Sequence, residues 1–376
     1  MRGLQRPGFL LRLAETWFHR PSAPTRVVMD LTRRCNLRCK MCHTWEVQAG
    51  HELSVDEVRH ILAQMPHLNW LDLTGGELFL RQDAVQILEA VCEVPSLGVL
   101  HFPTNGWFTA RILEGVARVR ALRPDIDLIL TVSIDGPPAI HDRMRGREGS
   151  FTRALDTFTR LRALDAVRTY VGTTITPDNQ EAIDELEVLL QSRIAGFRAD
   201  EWHWNALQIS EHFFHNAELA GSAPPAAGGL VRRHIKRRGL PKSLVDVMEL
   251  LFLVNLEFYR RGEPTGIVCQ SLRSTAFISP EGDLYPCHVY DRPLGNLRQQ
   301  PLQALWNSPE VRTARRDIEK LACGGCFTPC EAYPALAGAP LATATQTTRR
   351  GLRLLAEYAG GTRRGAEDPA RDAVQP

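Results

Sequence analysis

The chain has 376 residues, of which 44% are hydrophobic, so it can bury the core of one large domain or of two smaller ones. Its formal net charge of +2 is not typical of a nucleic-acid-binding protein, and it contains no run of about 18 uncharged apolar residues that could span a membrane. Nine cysteines without a secretory signal peptide indicate a cytoplasmic protein that uses thiols as metal ligands rather than in disulfides.

Apolar strand candidates alternate with amphipathic helical stretches from residue 26 onward. The predicted strands are residues 26–31, 70–73, 99–102, 127–133, 169–174 and 202–207. Helical stretches fall between them, at residues 54–64, 82–94, 151–164 and 180–192. Ser54 and Glu57 form a capping-box pattern at the start of the first helix. The alternation predicts an α/β fold with parallel strands joined by crossover helices.

Three cysteines follow the first predicted strand. Cys35, Cys39 and Cys42 are separated by gaps of three and two residues. Three thiolates can hold three irons of a four-iron cluster and leave the fourth iron open, whereas soft ligands argue against magnesium or calcium. The alternative is a zinc site with His43 as its fourth ligand. We disfavour it, because these gaps do not match paired zinc knuckles and adjacent residues rarely reach one tetrahedral ion.

At these cysteines the chain resembles the radical S-adenosylmethionine (radical SAM) enzymes, whose motif is Cys-x-x-x-Cys-x-aromatic-Cys. Met41 stands where the aromatic residue is usual, and its thioether can also cover an adenine ring. The resemblance implies a partial (β/α)6 TIM-like barrel over residues 26–215. It also implies that Cys35, Cys39 and Cys42 are catalytic and hold the 4Fe–4S cluster that binds S-adenosylmethionine.

Further motifs follow the predicted strands at their carboxyl ends, where parallel α/β barrels build their sites. In Thr74-Gly75-Gly76-Glu77 the glycines would let a ligand approach the backbone, and the resemblance implies that this segment binds the amino group of S-adenosylmethionine. It also implies that Ser133 and Asp135 lie near the ribose or the methionine portion. The full set expected to bind the cofactor is Gly75, Gly76, Glu77, Asn105, Ser133, Asp135 and Thr174. The alternative for each residue is a structural role in a turn or a helix cap. For Thr174 we weigh cofactor binding and this structural role equally.

Two segments have more than one interpretation. His203 and Asn205 on the sixth strand would either meet the substrate or lie satisfied in the core. The sequence of residues 216–264 predicts a flexible connection. This connection contains a basic run at 232–238 and a predicted helix at 243–259. The basic run could hold a phosphate or a lipid headgroup, but we favour a solvated helix face.

A second set of cysteines lies in residues 265–335, while Cys92 is expected to be a buried core thiol. The set comprises Cys269, Cys287, Cys323, Cys326 and Cys330. A hairpin formed by residues 275–279 and 284–285, turning at Gly282, would bring Cys269 and Cys287 together. The region resembles the SPASM extension of radical SAM proteins in its truncated form, Twitch, which implies one auxiliary 4Fe–4S cluster. Which four cysteines ligate it is open, and zinc is the alternative.

The resemblance implies that S-adenosylmethionine is cleaved reductively to a 5′-deoxyadenosyl radical, which removes a substrate hydrogen. A closed auxiliary cluster is suited to accept an electron, which predicts dehydrogenation or cross-linking, with a peptide side chain as the expected substrate. A sugar-like, lipid or other anionic small molecule is the alternative, and a noncatalytic iron–sulfur carrier is a remote one. The expected reductant is ferredoxin or flavodoxin, and no nucleic-acid partner is expected.

The composition of the two chain ends predicts how each end is structured. Residues 1–25 form an amphipathic segment whose apolar stretch, 9–18, is expected to pack on the barrel, with peripheral membrane contact as the alternative. About 25 residues are too few for a peptide-recognition domain, so leader recognition would need a partner or the barrel itself. Residues 336–376 are rich in Ala, Thr, Gly and Arg and are expected to be mostly disordered, with one short helix around 352–358.

Overall fold

The structure is a computed structural model that describes residues 20–48, 50–221, 229–263, 266–321 and 325–364. Its parallel strands are β1 (Arg26–Asp30), β2 (Trp70–Thr74), β3 (Val99–Thr104), β4 (Asp127–Ser133), β5 (Val167–Ile175) and β6 (Trp202–Ala206). They pair in sequence order, and the sheet does not close on itself. The predicted partial α/β barrel is therefore confirmed, with strand boundaries within two residues of the predicted ones.

The helices lie between and after these strands. They are α1 (Val55–Ala63), α2 (Ala84–Cys92), α3 (Thr109–Leu122), α4 (Pro138–Arg145), α5 (Ser150–Arg162), α6 (Ile183–Arg193), α7 (Leu230–Arg238), α8 (Leu244–Tyr259), α9 (Leu302–Trp306), α10 (Pro309–Glu319), α11 (Pro329–Gly338) and α12 (Pro340–Arg364). Ser54 and Glu57 form the predicted capping box on α1. None of the helices in the described ranges is long and apolar enough to cross a membrane.

The core lies between the sheet and the helices that cover it. All five residues of β1 are buried, since helices cover one face of the strand and the barrel interior the other. β4, β5 and β6 instead alternate buried and half-buried residues, because every second side chain faces the barrel interior. Cys92 at the end of α2 is 8% exposed within this core, as predicted for a core thiol.

The sheet continues beyond the predicted barrel. β7 (Thr275–Ile278) and β8 (Leu284–Tyr285) form the predicted antiparallel hairpin, which turns at Gly282 with φ of +89°. β7 also pairs in parallel with β1, with Thr275 opposite Arg26. The auxiliary cysteine region is therefore built onto the edge of the barrel sheet, a contact between segments about 250 residues apart that local sequence patterns do not contain.

The expectation of a mostly disordered tail is wrong for residues 340–364, which form α12. Leu354 on this helix is 8% exposed and packs with Val254 and Phe258. Asn255 of α8 donates a hydrogen bond to Thr347 Oγ1 at 3.1 Å. A composition rich in Ala, Thr, Gly and Arg predicts disorder, but Ala, Arg and Leu are also good helix formers, and packing on α8 stabilises this helix.

Several predictions concern residues outside the described ranges. The apolar stretch 9–18 and most of the connection at 220–229 fall there. The residues next to the first of them contact the auxiliary region: Arg20 donates a hydrogen bond to the carbonyl of Trp306, and Trp306 Nε1 donates to the carbonyl of Pro21. Residues 20–21 thus join the barrel entrance to α9.

Candidate active site and auxiliary cysteine site

The loop after β1 carries the first three cysteines into a small apolar cluster. Cys39 and Met41 are each 8% exposed and pack with Leu37 and Met144, and Cys42 borders the same cluster. Met41 therefore occupies a buried position beside the cysteines, where a large apolar side chain is needed. Its substitution for the usual aromatic residue keeps this packing.

The chemistry of the donor set fits an iron–sulfur cluster. Burial raises the pKa of Cys35 to about 12 and that of Cys39 to about 11, so both prefer the neutral thiol unless a cation is present. Bound iron reverses this preference, because a coordinating thiol loses its proton to the metal's charge. Within the described ranges, no three His, Cys, Asp or Glu side chains converge on a position for one metal ion.

His43 is held away from the cysteines. Its Nδ1 lies 2.7 Å from the carboxylate of Glu218, and its Nε2 lies 3.2 Å from the carbonyl of Lys40. Because both ring nitrogens have these partners, His43 is poorly placed to complete a zinc site with Cys42.

The glycines of the Gly-Gly-Glu motif pack against the cysteine loop itself. A Cβ on Gly76 would lie 2.3 Å from the carbonyl oxygen of Arg34, and one on Gly75 would lie 2.6 Å from the carbonyl oxygen of Thr32. The Gly76 and Glu77 amides donate to those same two carbonyls at 2.7 and 2.9 Å. Glycine at both positions is therefore needed for the close approach of the cysteine loop, while the approach of a ligand to this backbone stays a prediction.

Glu77 supports the neighbouring strand end. It is 2% exposed, and its carboxylate accepts hydrogen bonds from Phe79 N, Thr104 Oγ1 and Asn105 N at 2.8–3.2 Å. Burial raises its pKa. The carboxylate faces these groups and not the cavity described below, so its role in binding the amino group of S-adenosylmethionine stays a prediction.

Arg145 was missed by the sequence interpretation and connects two of the predicted site residues. Its Nη2 lies 2.5 Å from Oδ2 of Asp135, which is 0% exposed, and its Nη1 donates to Cys39 Sγ at 3.7 Å. Although burial disfavours its charge, Asp135 and Cys39 raise the pKa of Arg145. Asp135 also accepts a hydrogen bond from the Thr174 amide at 2.9 Å. Asp135 is thus a buried anchor, and Arg145 is the group of the pair that reaches the cavity.

One cavity of about 2200 Å³ runs through the barrel and joins most of the predicted residues. Its lining is largely apolar and includes the three cysteines of the loop together with Gly75, Gly76, Asn105, Ser133, Arg145 and Thr174. Asn105 is oriented by a hydrogen bond from its Nδ2 to Asn36 Oδ1 at 2.9 Å. Asn36 and Arg145 could have been found from sequence only by knowing which loops meet.

His203 and Asn205 both line this cavity, as one of the two interpretations predicted. His203 Nδ1 lies 2.9 Å from the carboxylate of Glu249 on α8 and 3.3 Å from the hydroxyl of Tyr333 on α11. The Asn205 side-chain oxygen has no hydrogen-bond partner among the described residues. The barrel opening beside β6 is therefore lined by polar groups from β6, α8 and α11.

The second cysteine set gathers at the opposite end of β1. The thiols of Cys269 and Cys326 act on buried Cys287, whose pKa is raised by burial and by their charge. Cys330 lies beside Arg26 and Asp72, which act on its thiol, and burial raises its pKa to about 12. Cys323 lies outside the described residues. The thiols of Cys269, Cys287 and Cys326 thus lie near one another, whereas Cys330 lines the barrel cavity.

The basic run forms α7, and its charges face acidic side chains. Arg233 and Arg237 reach the Asp184 carboxylate at 2.9 and 2.8 Å, and Arg232 lies 3.6 Å from both Glu257 and Glu357. These pairs join α7 to α6, α8 and α12, which supports a structural role over a phosphate site.

Comparison with family models gives two matches that together cover more than half of the chain. Residues 29–190 match the radical SAM superfamily, and residues 269–327 match an iron–sulfur cluster-binding domain, SPASM.

Curated relatives include enzymes with different substrates. An AdoMet-dependent heme synthase of Methanosarcina barkeri is 28% identical over 333 residues, covering 81% of this chain and 89% of the relative. The antilisterial bacteriocin subtilosin biosynthesis protein AlbA of Bacillus subtilis is 25% identical, covering 81% and 67%. The mycofactocin maturase MftC of Mycolicibacterium smegmatis is 26% identical, covering 84% and 78%.

Solved structures share the fold. anSMEcpe with bound AdoMet has a TM-score of 0.54 at 15% identity, covering 90% of this chain and 96% of that one. SuiB of Streptococcus suis bound to precursor peptide SuiA has a TM-score of 0.53 at 16% identity, covering 81% and 69%.

Proposed function

Because the chain belongs to the radical SAM superfamily and carries a SPASM iron–sulfur domain, we propose that it oxidises a peptide side chain by dehydrogenation or cross-linking. Its cofactors are S-adenosylmethionine, the 4Fe–4S cluster that binds it, and an auxiliary iron–sulfur cofactor in the SPASM domain. When bound, they supply a 5′-deoxyadenosyl radical and an electron acceptor. We infer one auxiliary cluster, a ferredoxin or flavodoxin as reductant, and a cytoplasmic location, since exposed clusters need a reducing compartment.

The cavity carries the proposal. It is lined by Cys35, Cys39 and Cys42 at one end and by Cys330 at the other, so a substrate inside it would lie between the two cysteine sites. Its volume of about 2200 Å³ exceeds the ~300–1,000 Å³ of ordinary small-molecule pockets. Such a space supports a peptide segment over a single sugar. The named maturases among the relatives are consistent with that class.

The residues of this chain have definite tasks in the proposed reaction. Cys35, Cys39 and Cys42 hold the cluster, and Ser133, Asn105 and Thr174 face the bound S-adenosylmethionine. Cys269, Cys287 and Cys326, with either Cys323 or Cys330, hold the auxiliary cluster. The apolar cavity wall excludes water from the radical.

A tetrapyrrole is the second candidate substrate. The same large, mostly apolar cavity suits a flat apolar ring, although Arg232 and Arg233 at its wall are already paired with acidic side chains. The heme synthase relative is the comparison that favours this class.

The test is an anaerobic assay of the reduced holoenzyme with S-adenosylmethionine and either probe: a mixture of short synthetic peptides, or an iron tetrapyrrole. We expect 5′-deoxyadenosine and a peptide that has lost two hydrogen atoms. Cys287→Ser should still form 5′-deoxyadenosine but lose the oxidised product, while the matched variant of the core thiol, Cys92→Ser, should retain both. Oxidation of the tetrapyrrole alone would select the second candidate, and unchanged product from Cys287→Ser would contradict the role of the auxiliary cluster.

A further inference from the structure

A histidine held by a buried carboxylate lies in the cavity wall beside β6. His203 is 19% exposed, and Glu249, its partner at 2.9 Å, is 1% exposed. The ring of Tyr170 on β5 contacts the imidazole edge-on with centroids 4.0 Å apart. Tyr333 donates a hydrogen bond to the same Glu249 carboxylate. Groups on three different elements therefore fix the orientation of this imidazole.

The His203 ring nitrogen that has no hydrogen-bond partner among the described residues is Nε2. Its Nδ1 is engaged by Glu249, and Nε2 has no hydrogen bond to any of the described residues, although His203 lines the cavity. His101 provides the contrast within the same barrel. It is 21% exposed, and its Nδ1 is 2.8 Å from Asp72, but its Nε2 is held by Thr131 Oγ1 at 3.0 Å. Of these two carboxylate-paired histidines, His203 has a basic nitrogen left for a ligand.

The strand register brings His203 to the level of the predicted cofactor site. Ser133 of β4 pairs with Gly172 of β5, which in turn pairs with His203. All three residues line the cavity. Two strand spacings separate Ser133 and His203, which is about 10 Å. A substrate held beside the cofactor in this row is thus within reach of the imidazole.

We propose that His203, through Nε2, accepts the proton that the substrate releases on oxidation, a role that rests on the proposed function. The substrate C–H bond breaks, and its hydrogen atom goes to the 5′-deoxyadenosyl radical to give 5′-deoxyadenosine. A neighbouring O–H or N–H bond gives its proton to Nε2 as the new double bond or carbon–heteroatom bond forms. The remaining electron goes to the auxiliary iron–sulfur cluster.

Glu249 stabilises the imidazolium that this transfer produces. Burial raises the pKa of its carboxyl, but His203, Arg238 and the hydrogen bond from Tyr333 together outweigh burial and lower this pKa to about 2. The carboxylate is therefore ionised and orients the Nδ1–H donor, as the acid of a catalytic triad does. The other titratable or charged groups around the pair include Tyr170, Tyr333 and two residues of α7, Arg238 and His234, which both interact with the charge of Glu249.

The first experiment needs no substrate. The holoenzyme is treated anaerobically with diethyl pyrocarbonate, which acylates neutral imidazole nitrogens, and the modified peptides are measured by mass spectrometry between pH 5 and 8. We expect His203 to react at least tenfold faster than His101, because its Nε2 has no hydrogen-bond partner among the described residues and lies in the cavity wall. Protection of His203 equal to that of His101 would overturn the proposal.

The second experiment separates proton transfer from radical formation. His203→Gln should keep its iron content, thermal stability and yield of 5′-deoxyadenosine, while product per 5′-deoxyadenosine falls about 100-fold and a substrate radical accumulates in EPR spectra. His101→Gln, the matched control, should keep the wild-type ratio. An unchanged ratio in His203→Gln overturns the role of His203. If the wild type oxidises neither the peptide nor the tetrapyrrole, the proposed function fails instead, and the acylation experiment still decides whether Nε2 is free and basic.

Discussion

Replacing Arg145 with methionine tests the buried ion pair that joins the cysteine loop to the end of β4. The methionine keeps most of the apolar stem but removes the guanidinium, which leaves Asp135 with 0% exposure and with the Thr174 amide as its remaining described donor. A buried charge that loses its partner costs about 3–5 kcal/mol. We therefore expect Arg145→Met to lower the free energy of unfolding by about that amount.

Urea unfolding followed by circular dichroism measures this change in Arg145→Met, in Asp135→Asn and in the double variant. The double variant should recover at least about 1 kcal/mol relative to the sum of the single changes, because removing both charges leaves none unpaired. Arg147→Met is the matched control: Arg147 is exposed and stacks on Trp107 at 3.7 Å, a contact that contributes about 0.5–1 kcal/mol. Wild-type stability of Arg145→Met, or strict additivity, would refute this account of the pair.

Gly76→Ala should prevent assembly of the first cluster, measured as lost iron, because its Cβ would lie 2.3 Å from a carbonyl oxygen of the cysteine loop; Gly351→Ala, with no atom within 4 Å, should keep the iron. Burial lowers the pKa of His234 to about 3. Below pH 6.5 this histidine therefore binds a proton in the unfolded chain but not in the folded chain. In urea unfolding, His234→Phe should therefore reduce the loss of stability below pH 6.5 by about 1.4 kcal/mol per pH unit, while His141 and His215, whose pKa values burial lowers to about 4, contribute equally in both proteins. Leu354→Ala should cost about 2–3 kcal/mol and exposed Leu352→Ala less than about 0.5 kcal/mol, and equal costs would contradict the packing of α12.

The barrel strands could be predicted because their signal is local. Residues 127–133 form a strand in the sequence and in the structure alike, since buried Leu128, Leu130 and Val132 alternate with half-buried residues, the period of a strand with one face on the core. The same holds for the hairpin at Gly282, where a positive φ requires a residue without a Cβ. The motif glycines were found as well, but their close packing on the cysteine loop was not predicted, because it depends on which backbone segments meet.

The remaining features depend on contacts between distant segments. Arg145 is one of many arginines in the sequence, and it stands out only when α4 brings it to Asp135 and Cys39. The pairing of β7 with β1 leaves no local pattern. Composition misled at α12, because a helix of small and basic residues is stabilised by a partner that composition does not reveal.

The pairing of β7 with β1 sets the spacing of the proposed reaction. The first three cysteines follow the carboxyl end of β1, whereas the hairpin register, continued from Tyr285, brings Cys287 level with Arg26 at its amino end. A five-residue strand rising about 3.3 Å per residue holds these ends about 15 Å apart. The two sites therefore do not touch, and the barrel cavity reaches from the first three cysteines to Cys330. In the proposed reaction, an electron that leaves the substrate toward Cys287 would move away from the loop where the radical forms, which would favour oxidation over return of the electron to the first site.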